Sequence, residues 1–403
     1  MDFEDTPEEA AYRLKARKWL EENAPKNIAD SSDDEIFDLQ ACKAWQAKKS
    51  DAGYAKITWP KEWGGGAGTT IQSVIFSQEE ARAGVSSLNR PFAISLGISL
   101  PSVLANVNEE TQLRFAKPGA RGEEIWCQLF SEPSGGSDVA GIRTRAVKDG
   151  DDWIINGQKI WTSGAHYCDY GIIITRTNPD VPKHAGLTMF WVSMKTPGIE
   201  IRPIHQMSGA SGFNEVFFTD VRVNDSQRVS EVNDGWAASI RTLMVERASV
   251  GGGDTPGGSS MNVYKLAHEL GMLDDRALRE KLADWYATSE GLRFTGMRML
   301  TALSRGQIPG PEGSITKIVL ANLEQDMTLQ ALELQDQFGL INDSRISPLT
   351  ALFQQSVLGA PGMRIAGGTD EILRNVIAER VLGLPGDVRV DKTLPFNQLP
   401  KGV

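Results

Sequence analysis

The sequence predicts an α+β fold in which a helical block, a β block and a second helical block follow one another along the chain. Apolar residues recur at three- and four-residue spacing up to about residue 122 and again from residue 235 onward, as on one face of a helix. Between these blocks they alternate with polar residues, which is the period of a strand. The changes of period predict a helical domain over 1–123, a β-sheet or β-barrel domain over 124–233 and a helical bundle over 234–403.

Local signals support each block in turn. In the first block, a Gly-rich turn at 60–68 precedes a helix that Thr69 or Thr70 would cap. In the middle block, Asn156-Gly157 is the strongest signal for a hairpin turn. The predicted strands of that block are 153–155, 171–175, 187–192, 199–204 and 216–223. One predicted helix of the third block carries the apolar stripe Leu278, Leu282, Trp285, Leu292 and Met299.

The order of the elements disfavours the common nucleotide-binding folds. A Rossmann sheet needs strands that alternate with helices, whereas the predicted strands are confined to the middle of this chain. No G-x-G-x-x-G follows a strand, and no G-x-x-x-x-G-K-[ST] is present. The sequence therefore argues against nicotinamide dinucleotide binding and against a P-loop ATPase.

The composition limits the classes of partner that we expect for this protein and indicates its cellular location. The net charge of −10 and the pI near 5.1 argue against nucleic acid as a partner, because neutralising phosphates needs clustered Lys and Arg. The three cysteines and four histidines follow no disulfide or metal-ligand spacing, so no metal is expected. The acidic first residues are unlike a signal peptide, and no apolar run of about 18 residues would span a bilayer. We therefore expect a soluble, cytoplasmic protein.

The segment 127–165 carries the clearest chemical signal. It joins a turn of small residues at 131–138 to an aromatic residue, Trp161, followed by two hydroxyl residues. Small residues allow a backbone to approach a bulky ligand, free N–H groups and hydroxyls hold a phosphate or a polar ring, and an indole offers a stacking surface. We expect this segment, called the cradle below, to bind a large planar cofactor with a phosphate tail. The alternative is that Trp161 is a core residue and the turn is merely solvated.

Three motifs together identify a family. SEPSGGSD at 131–138, NGQKIW at 156–161 and GTDEI at 368–372 occur in the order and spacing of the acyl-CoA dehydrogenases, which the chain resembles from end to end. The resemblance implies a helix–β–helix architecture that ends in a four-helix bundle, FAD as cofactor and an acyl-CoA thioester as substrate. It also implies proton removal from the α carbon and hydride transfer from the β carbon to flavin N5, which gives a trans-2-enoyl-CoA.

The resemblance assigns residues to the cofactor. Ser131 would bond the pyrimidine edge of the flavin, Gly136 and Ser137 would meet the pyrophosphate, Trp161 would pack on the ring and Ser163 would lie near N5. The full set of implied cofactor-binding residues is Gln128, Phe130, Ser131, Gly136, Ser137, Trp161, Thr162, Ser163, Thr369 and Glu371.

The expected catalytic base is displaced from its usual position. In much of the family, a glutamate directly precedes the Gly-Thr of the C-terminal motif, but here that position is Gly367. A minority of the family places the glutamate before an arginine on a bundle helix, and this chain has Glu246-Arg247 there. The resemblance therefore implies Glu246 as base. The alternative is that Glu246 forms a salt bridge on a solvated helix face.

The substrate-binding residues are expected to be Arg247, Gly367 and Gly368. The backbone N–H of residue 367 survives the loss of the usual glutamate and would polarise the thioester carbonyl. Ala366 stands where the family often has an aromatic residue, so the pocket is expected to be roomy. A bulky or branched acyl group, for example a sterol side chain, is therefore expected.

Two departures from the family concern the grip on a neighbouring subunit's FAD. The Arg-x-x-Phe-Gly motif of homotetrameric members is missing from 264–279, and the Gly-rich turn at 335–340 is altered. One explanation is a heterotetramer in which a related chain holds the adenosine end, as in bacterial acyl-CoA dehydrogenases that act on sterol side chains. The alternative is a homo-oligomer whose FAD contacts have drifted.

The sequence leaves three functions open. The first is an FAD-dependent acyl-CoA dehydrogenase that passes electrons to an electron-transfer flavoprotein. The second is a flavin oxidase or monooxygenase on the same fold. The third is a subunit of a heteromeric dehydrogenase without independent activity.

Overall fold

A computed structural model describes residues 5–26, 38–250, 260–304, 310–386, 389 and 391–399, apart from the side chains of 244–250, 300, 303, 304 and 312. The chain divides into two compact units. Unit 1 comprises Met1–His205, Ser211–Val245 and Val388–Val403, and unit 2 comprises Gln206–Ala210 and Glu246–Asp387. Among the described residues, no helix combines the length and the apolarity that a membrane crossing requires.

Unit 1 begins with helices whose ends are set by local capping. The Thr6 hydroxyl and the Glu9 carboxylate close a capping box at the start of the first helix. Thr69 caps the third in the same way with Gln72, which confirms the prediction for Thr69. The helices are α1 (Pro7–Asn23), α2 (Leu39–Asp51), α3 (Thr70–Arg82), α4 (Leu100–Leu104) and α5 (Glu109–Ala120).

The strands are β1 (Trp126–Leu129), β2 (Arg145–Asp149), β3 (Asp152–Ser163), β4 (Tyr170–Arg176), β5 (Leu187–Ser193), β6 (Ile199–Pro203) and β7 (Phe213–Asn224). The last five coincide with the predicted segments, whereas β1 and β2 were not predicted. These strands form one mixed sheet in the order β1-β4-β2-β3-β7-β6, and β5 pairs antiparallel with β4. The two longest strands, β3 and β7, pair antiparallel along most of their length. Trp126, Ile155, Phe190 and other buried residues of the sheet join the helices in one core.

The prediction of a hairpin turn at Asn156-Gly157 is wrong. These residues lie inside β3, where the register against β7 shifts in a bulge, and the chain turns instead at Gly150-Asp151. The Asn156 side chain exchanges two hydrogen bonds of 3.0 Å with Asp220 across the strands. Gly157 has φ 152°, and a Cβ there would collide with Thr144. The glycine is therefore required by a bulge and by the close approach of Thr144. Because turns also favour glycine, the sequence alone does not distinguish the two.

Unit 2 is built from helices. Their shared core includes Leu278, Leu282 and Trp285, as the predicted stripe required, with Met327 and Phe353 opposite. α6 spans Gly235–Val250 and begins in unit 1, at the residue where the helical spacing was predicted to return. The remaining helices are α7 (Ser260–Glu269), α8 (Arg276–Ser304), α9 (Ser314–Leu334), α10 (Leu352–Met363) and α11 (Asp370–Arg380). The predicted domain boundaries remain a prediction.

Candidate active site

The cradle turn follows β1 and closes on itself. The N–H groups of Glu132 and Gly135 each donate to the other's carbonyl at 2.9 Å, which makes a tight turn. Gly136 and Ser137, the next residues, are exposed. A Cβ on Gly136 would meet nothing within 4 Å. The turn therefore presents an open backbone edge on which a phosphate-bearing ligand would fit.

A buried ion pair holds this turn against the sheet. Lys159 of β3 is fully buried, and its Nζ lies 2.8 Å from Oε1 of Glu132 and 3.1 Å from the carbonyl oxygen of Phe130. The other donors to the Glu132 carboxylate are the N–H groups of Arg143 at 2.6 Å and Thr144 at 2.9 Å. The pair thus joins the end of β1, the turn and β3 at one point.

The ionisation of this pair follows from its surroundings. Burial acts to raise the pKa of Glu132, but the Lys159 charge and the donated hydrogen bonds outweigh it and hold that pKa below its ordinary value. Burial lowers the pKa of Lys159 while Glu132 acts in the opposite direction. Every donor around Glu132 fits a carboxylate, so Glu132 and Lys159 form a charged pair.

The bulge after Lys159 aims Trp161 outward. The pairing of β3 with β7 shifts register between Lys159 and Thr162, and the N–H of Ile160 donates to the carbonyl of Ser131 at 2.9 Å. Trp161 has φ 59°, a left-handed conformation that a bulky residue adopts only under constraint. Its side chain is 55% exposed, so Trp161 is not a core residue. An indole held out of the core in this way is suited to stacking against a planar ligand.

Several polar groups of the cradle have no hydrogen-bond partner among the described residues. Within the described part of the chain, the hydroxyls of Ser131, Ser137 and Ser163 and the side-chain amide of Gln128 make no hydrogen bond to protein. Together with the exposed indole, they match the edge and the face of a large planar ligand with a phosphate tail.

Two other predicted cradle residues are placed differently. Phe130 and Thr162 are 4% and 1% exposed, so their side chains support the surface from below. The Thr162 hydroxyl is buried without a hydrogen-bond partner among the described residues.

In unit 2, the predicted GTDEI motif forms a glycine turn before α11. Gly367 and Gly368 have φ 65° and 95°, which glycine adopts without strain. Thr369 caps α11 by accepting the N–H of Ile372 at 3.3 Å. Glu371 lies exposed in the first turn of the helix. A glutamate at position 367 would have to adopt the left-handed conformation, which gives a physical reason for the glycine there.

A cluster of charged side chains fixes this turn. The carboxylate of Asp370, 1% exposed, accepts from Arg364 Nε at 2.8 Å and from Asn322 Nδ2 at 3.2 Å. Lys317 of α9 donates to the carbonyl of Gly368 at 2.8 Å. Burial opposes the charge of Asp370, but the bonds from Arg364 and Asn322 hold its pKa below the ordinary value. The sequence analysis did not assign Lys317 and Arg364, although a buried aspartate after Gly-Thr signals a need for cations.

The predicted base and its neighbour belong to α6. Glu246 and Arg247 lie in the helical segment Gly235–Val250, but their side chains lie outside the described residues. Their roles therefore stay predictions. No group of three His, Cys, Asp or Glu placed to hold a metal occurs among the residues described.

Three family models match successive parts of the chain. They are the acyl-CoA dehydrogenase N-terminal domain over 6–123, the middle domain over 127–221 and the C-terminal domain over 233–382. Among solved structures, the Tcur3481–Tcur3483 steroid ACAD aligns with a TM-score of 0.81 and 26% identity over 96% of this chain and 100% of that chain.

Curated relatives agree with the family models. The chain is 37% identical to the acyl-CoA dehydrogenase FadE34 of Mycobacterium tuberculosis over 84% of its own length, but it spans only 46% of that relative. It is 32% identical to the acyl-CoA dehydrogenase IpdE1 of Mycobacterium tuberculosis, over 94% of this chain and 98% of that protein. The chain therefore belongs to the acyl-CoA dehydrogenase family, whose members are FAD-dependent flavoproteins.

Proposed function

We propose that this protein oxidises an acyl-CoA thioester to the trans-2-enoyl-CoA with FAD as cofactor. The observation that carries the proposal is the cradle, which combines a constrained, exposed indole with polar groups that have no partner among the described residues. Membership of the acyl-CoA dehydrogenase family supports the same reaction.

The cradle residues would orient the cofactor. Trp161 would pack on the flavin ring, Ser131 and Ser163 would bond its polar edge, and Gly136 and Ser137 would meet the pyrophosphate. When bound, FAD would accept the β hydrogen of the substrate as a hydride. The ion pair under the cradle keeps these groups in place before the ligand arrives, so less order has to be gained on binding.

Two further residues would act on the thioester. Glu246 would take the proton from the α carbon, a step that needs a carboxylate whose pKa is raised by a dry site. The N–H of Gly367 would donate to the thioester carbonyl as negative charge develops on its oxygen. Lys317 and Asp370 would maintain the direction of that N–H, since Lys317 holds the carbonyl of Gly368 and Asp370 binds Arg364, which precedes the turn.

The acyl group is proposed to be bulky or branched, such as a sterol side chain. Residues 366–368 carry no side chain larger than a methyl group, so they leave space beside the proposed carbonyl site. The likeness to a steroid ACAD supports the same substrate class. Butanoyl-CoA oxidised faster than branched or ring-bearing thioesters would contradict this part of the proposal.

We further propose that the active form is a heterotetramer with a related chain and that an electron-transfer flavoprotein accepts the electrons. The altered segments 264–279 and 335–340 support a shared grip on FAD, and the similar steroid ACAD is named after two proteins. A flavin-loaded, active homomer obtained from this chain alone would contradict the heteromer.

The test is a thioester panel with an artificial electron acceptor, run with and without the chain encoded beside this one. The expected result is thioester-dependent reduction of the acceptor with little oxygen consumption. A Glu246→Gln variant should retain FAD and lose turnover, whereas Glu269→Gln, an exposed glutamate at the end of α7, should retain both. Rapid oxygen consumption would instead indicate an oxidase or monooxygenase.

A further inference from the structure

Residues 391–399, here called the strap, lie against the middle sheet. The N–H of Phe396 donates to the carbonyl of Val181 at 2.9 Å, and the N–H of Asn397 donates to that of Pro179 at 3.0 Å. Pro395 forms a bridge with Pro182. The strap is therefore paired to the turn that leads from β4 to β5.

Beneath the strap lie two cations that hold the far end of the cradle. One is Lys183, which is 7% exposed, and its Nζ lies 2.8 Å from Oδ2 of Asp138, the residue directly after Ser137. The second carboxylate on the same ammonium comes from Asp391 of the strap. Burial opposes the charge of Lys183, but the two carboxylates raise its pKa. The ammonium is therefore held from the cradle side and from the strap side at once.

The second cation is Arg176 at the end of β4, which is 4% exposed. Its guanidinium donates to the carbonyls of Ala140 and Ile142, the latter at 3.3 Å, and to that of Lys183 at 2.6 Å. Phe396 of the strap covers it, with 3.9 Å between the guanidinium carbon and the ring centroid. This contact shields a buried cation that would otherwise be open to water on that side.

The two strap residues thus meet the two cations that fix residues 138–142. This segment begins where the proposed pyrophosphate contacts, Gly136 and Ser137, end. We infer that Asp391 and Phe396 are positioning residues for the FAD pyrophosphate, and that they act through Lys183 and Arg176. Backbone donors that are fixed in advance bind a phosphate more tightly because less entropy is lost on binding.

The inference rests on the proposed FAD site, and its test measures FAD affinity rather than turnover. Wild type, Asp391→Asn, Phe396→Leu and the double variant are stripped of flavin as the full chain, with its related chain where one is needed. They are then titrated with FAD. Each single change is expected to raise the FAD Kd about three- to tenfold. This is the size of effect expected when one partly buried charge pair or one cation–π contact is lost. Phe396→Tyr, which keeps the ring over Arg176, should restore the wild-type Kd.

Asn397→Ala is the matched control. The Asn397 side chain bonds Asp180 at 2.6 Å and no hydrogen bond joins it to Lys183 or Arg176, so its loss should leave the FAD Kd unchanged. The KM for the thioester should stay at the wild-type value in all variants, because the strap acts on the pyrophosphate end.

Two results would overturn the inference. The first is a wild-type FAD Kd in the Asp391→Asn and double variants. The second is an equal loss of affinity in Asn397→Ala, which would indicate a general effect on folding. Asp391→Asn hardly changes the volume of the side chain, so this variant alone tests the inference if Phe396→Leu does not fold. A wild-type chain that binds no FAD would instead refute the proposed function itself.

Discussion

Replacing Lys159 by methionine tests the cradle most sharply. The variant leaves Glu132 buried at 6% exposure with two N–H donors but without its ion-pair partner, and the carbonyl of Phe130 loses its donor. Removing one partner of a buried ion pair costs about 3–5 kcal/mol. For a unit of this size, each kcal/mol lowers Tm by about 2–4 °C, so a fall of at least about 6 °C is expected.

The assays are thermal unfolding, which gives Tm, and urea unfolding, which gives the free energy of unfolding, both on the flavin-free chain and followed by tryptophan fluorescence, with FAD titration alongside. Lys195→Met is the matched control, since Lys195 forms an exposed pair with Asp169 at 3.4 Å and should change little. In the double variant Lys159→Met/Glu132→Gln, much of the stability should return because no buried charge is left unpaired. FAD affinity should stay low, because the pair no longer fixes the turn. A Lys159→Met variant as stable as wild type would refute the reasoning.

Three further predictions concern other parts of the structure. At φ 59°, Trp161→Gly should be about 1 kcal/mol more stable than Trp161→Ala in the flavin-free chain, since only glycine relieves the strain, and both should bind FAD weakly. Equal stability by urea unfolding would refute the constraint at Trp161. Lys317→Met should lower kcat more than FAD affinity, because Gly368 loses the bond that fixes the proposed N–H donor; an unchanged kcat would contradict that role. Because the folded-state pKa of Glu132 is below its ordinary value of 4.5, its contribution to stability is present above that pH and is lost as pH falls through the folded-state pKa. Glu132→Gln should flatten this fall in a Tm series, and an identical pH profile would contradict it.

Most of the fold could be predicted because the spacing of apolar residues along the chain distinguishes helices from strands. The alternation over 187–192 and 216–223 gave β5 and β7, and the spacing of Leu278, Leu282 and Trp285 gave α8. Asn156-Gly157 misled because a bulge and a turn both need glycine, and only the pairing of β3 with β7 distinguishes them.

The supports of the site were less predictable. Lys159 looks like any polar residue of a strand, and its burial depends on Glu132, 27 positions earlier. Lys317 reaches a carbonyl 51 positions away, and Asn397 of the strap bonds a residue 217 positions away. Such contacts follow from tertiary packing, which no local pattern in the sequence encodes.

The central claim is that this chain removes hydrogen from a thioester with Glu246 as base. The most direct test is anaerobic mixing of the flavin-loaded enzyme with a branched or sterol-bearing acyl-CoA while the oxidised-flavin absorbance is followed. We predict rapid loss of that absorbance in wild type. Glu246→Gln should retain its flavin but bleach more slowly by orders of magnitude. Bleaching at the wild-type rate in Glu246→Gln, or no bleaching of the wild type by any thioester, would contradict the account.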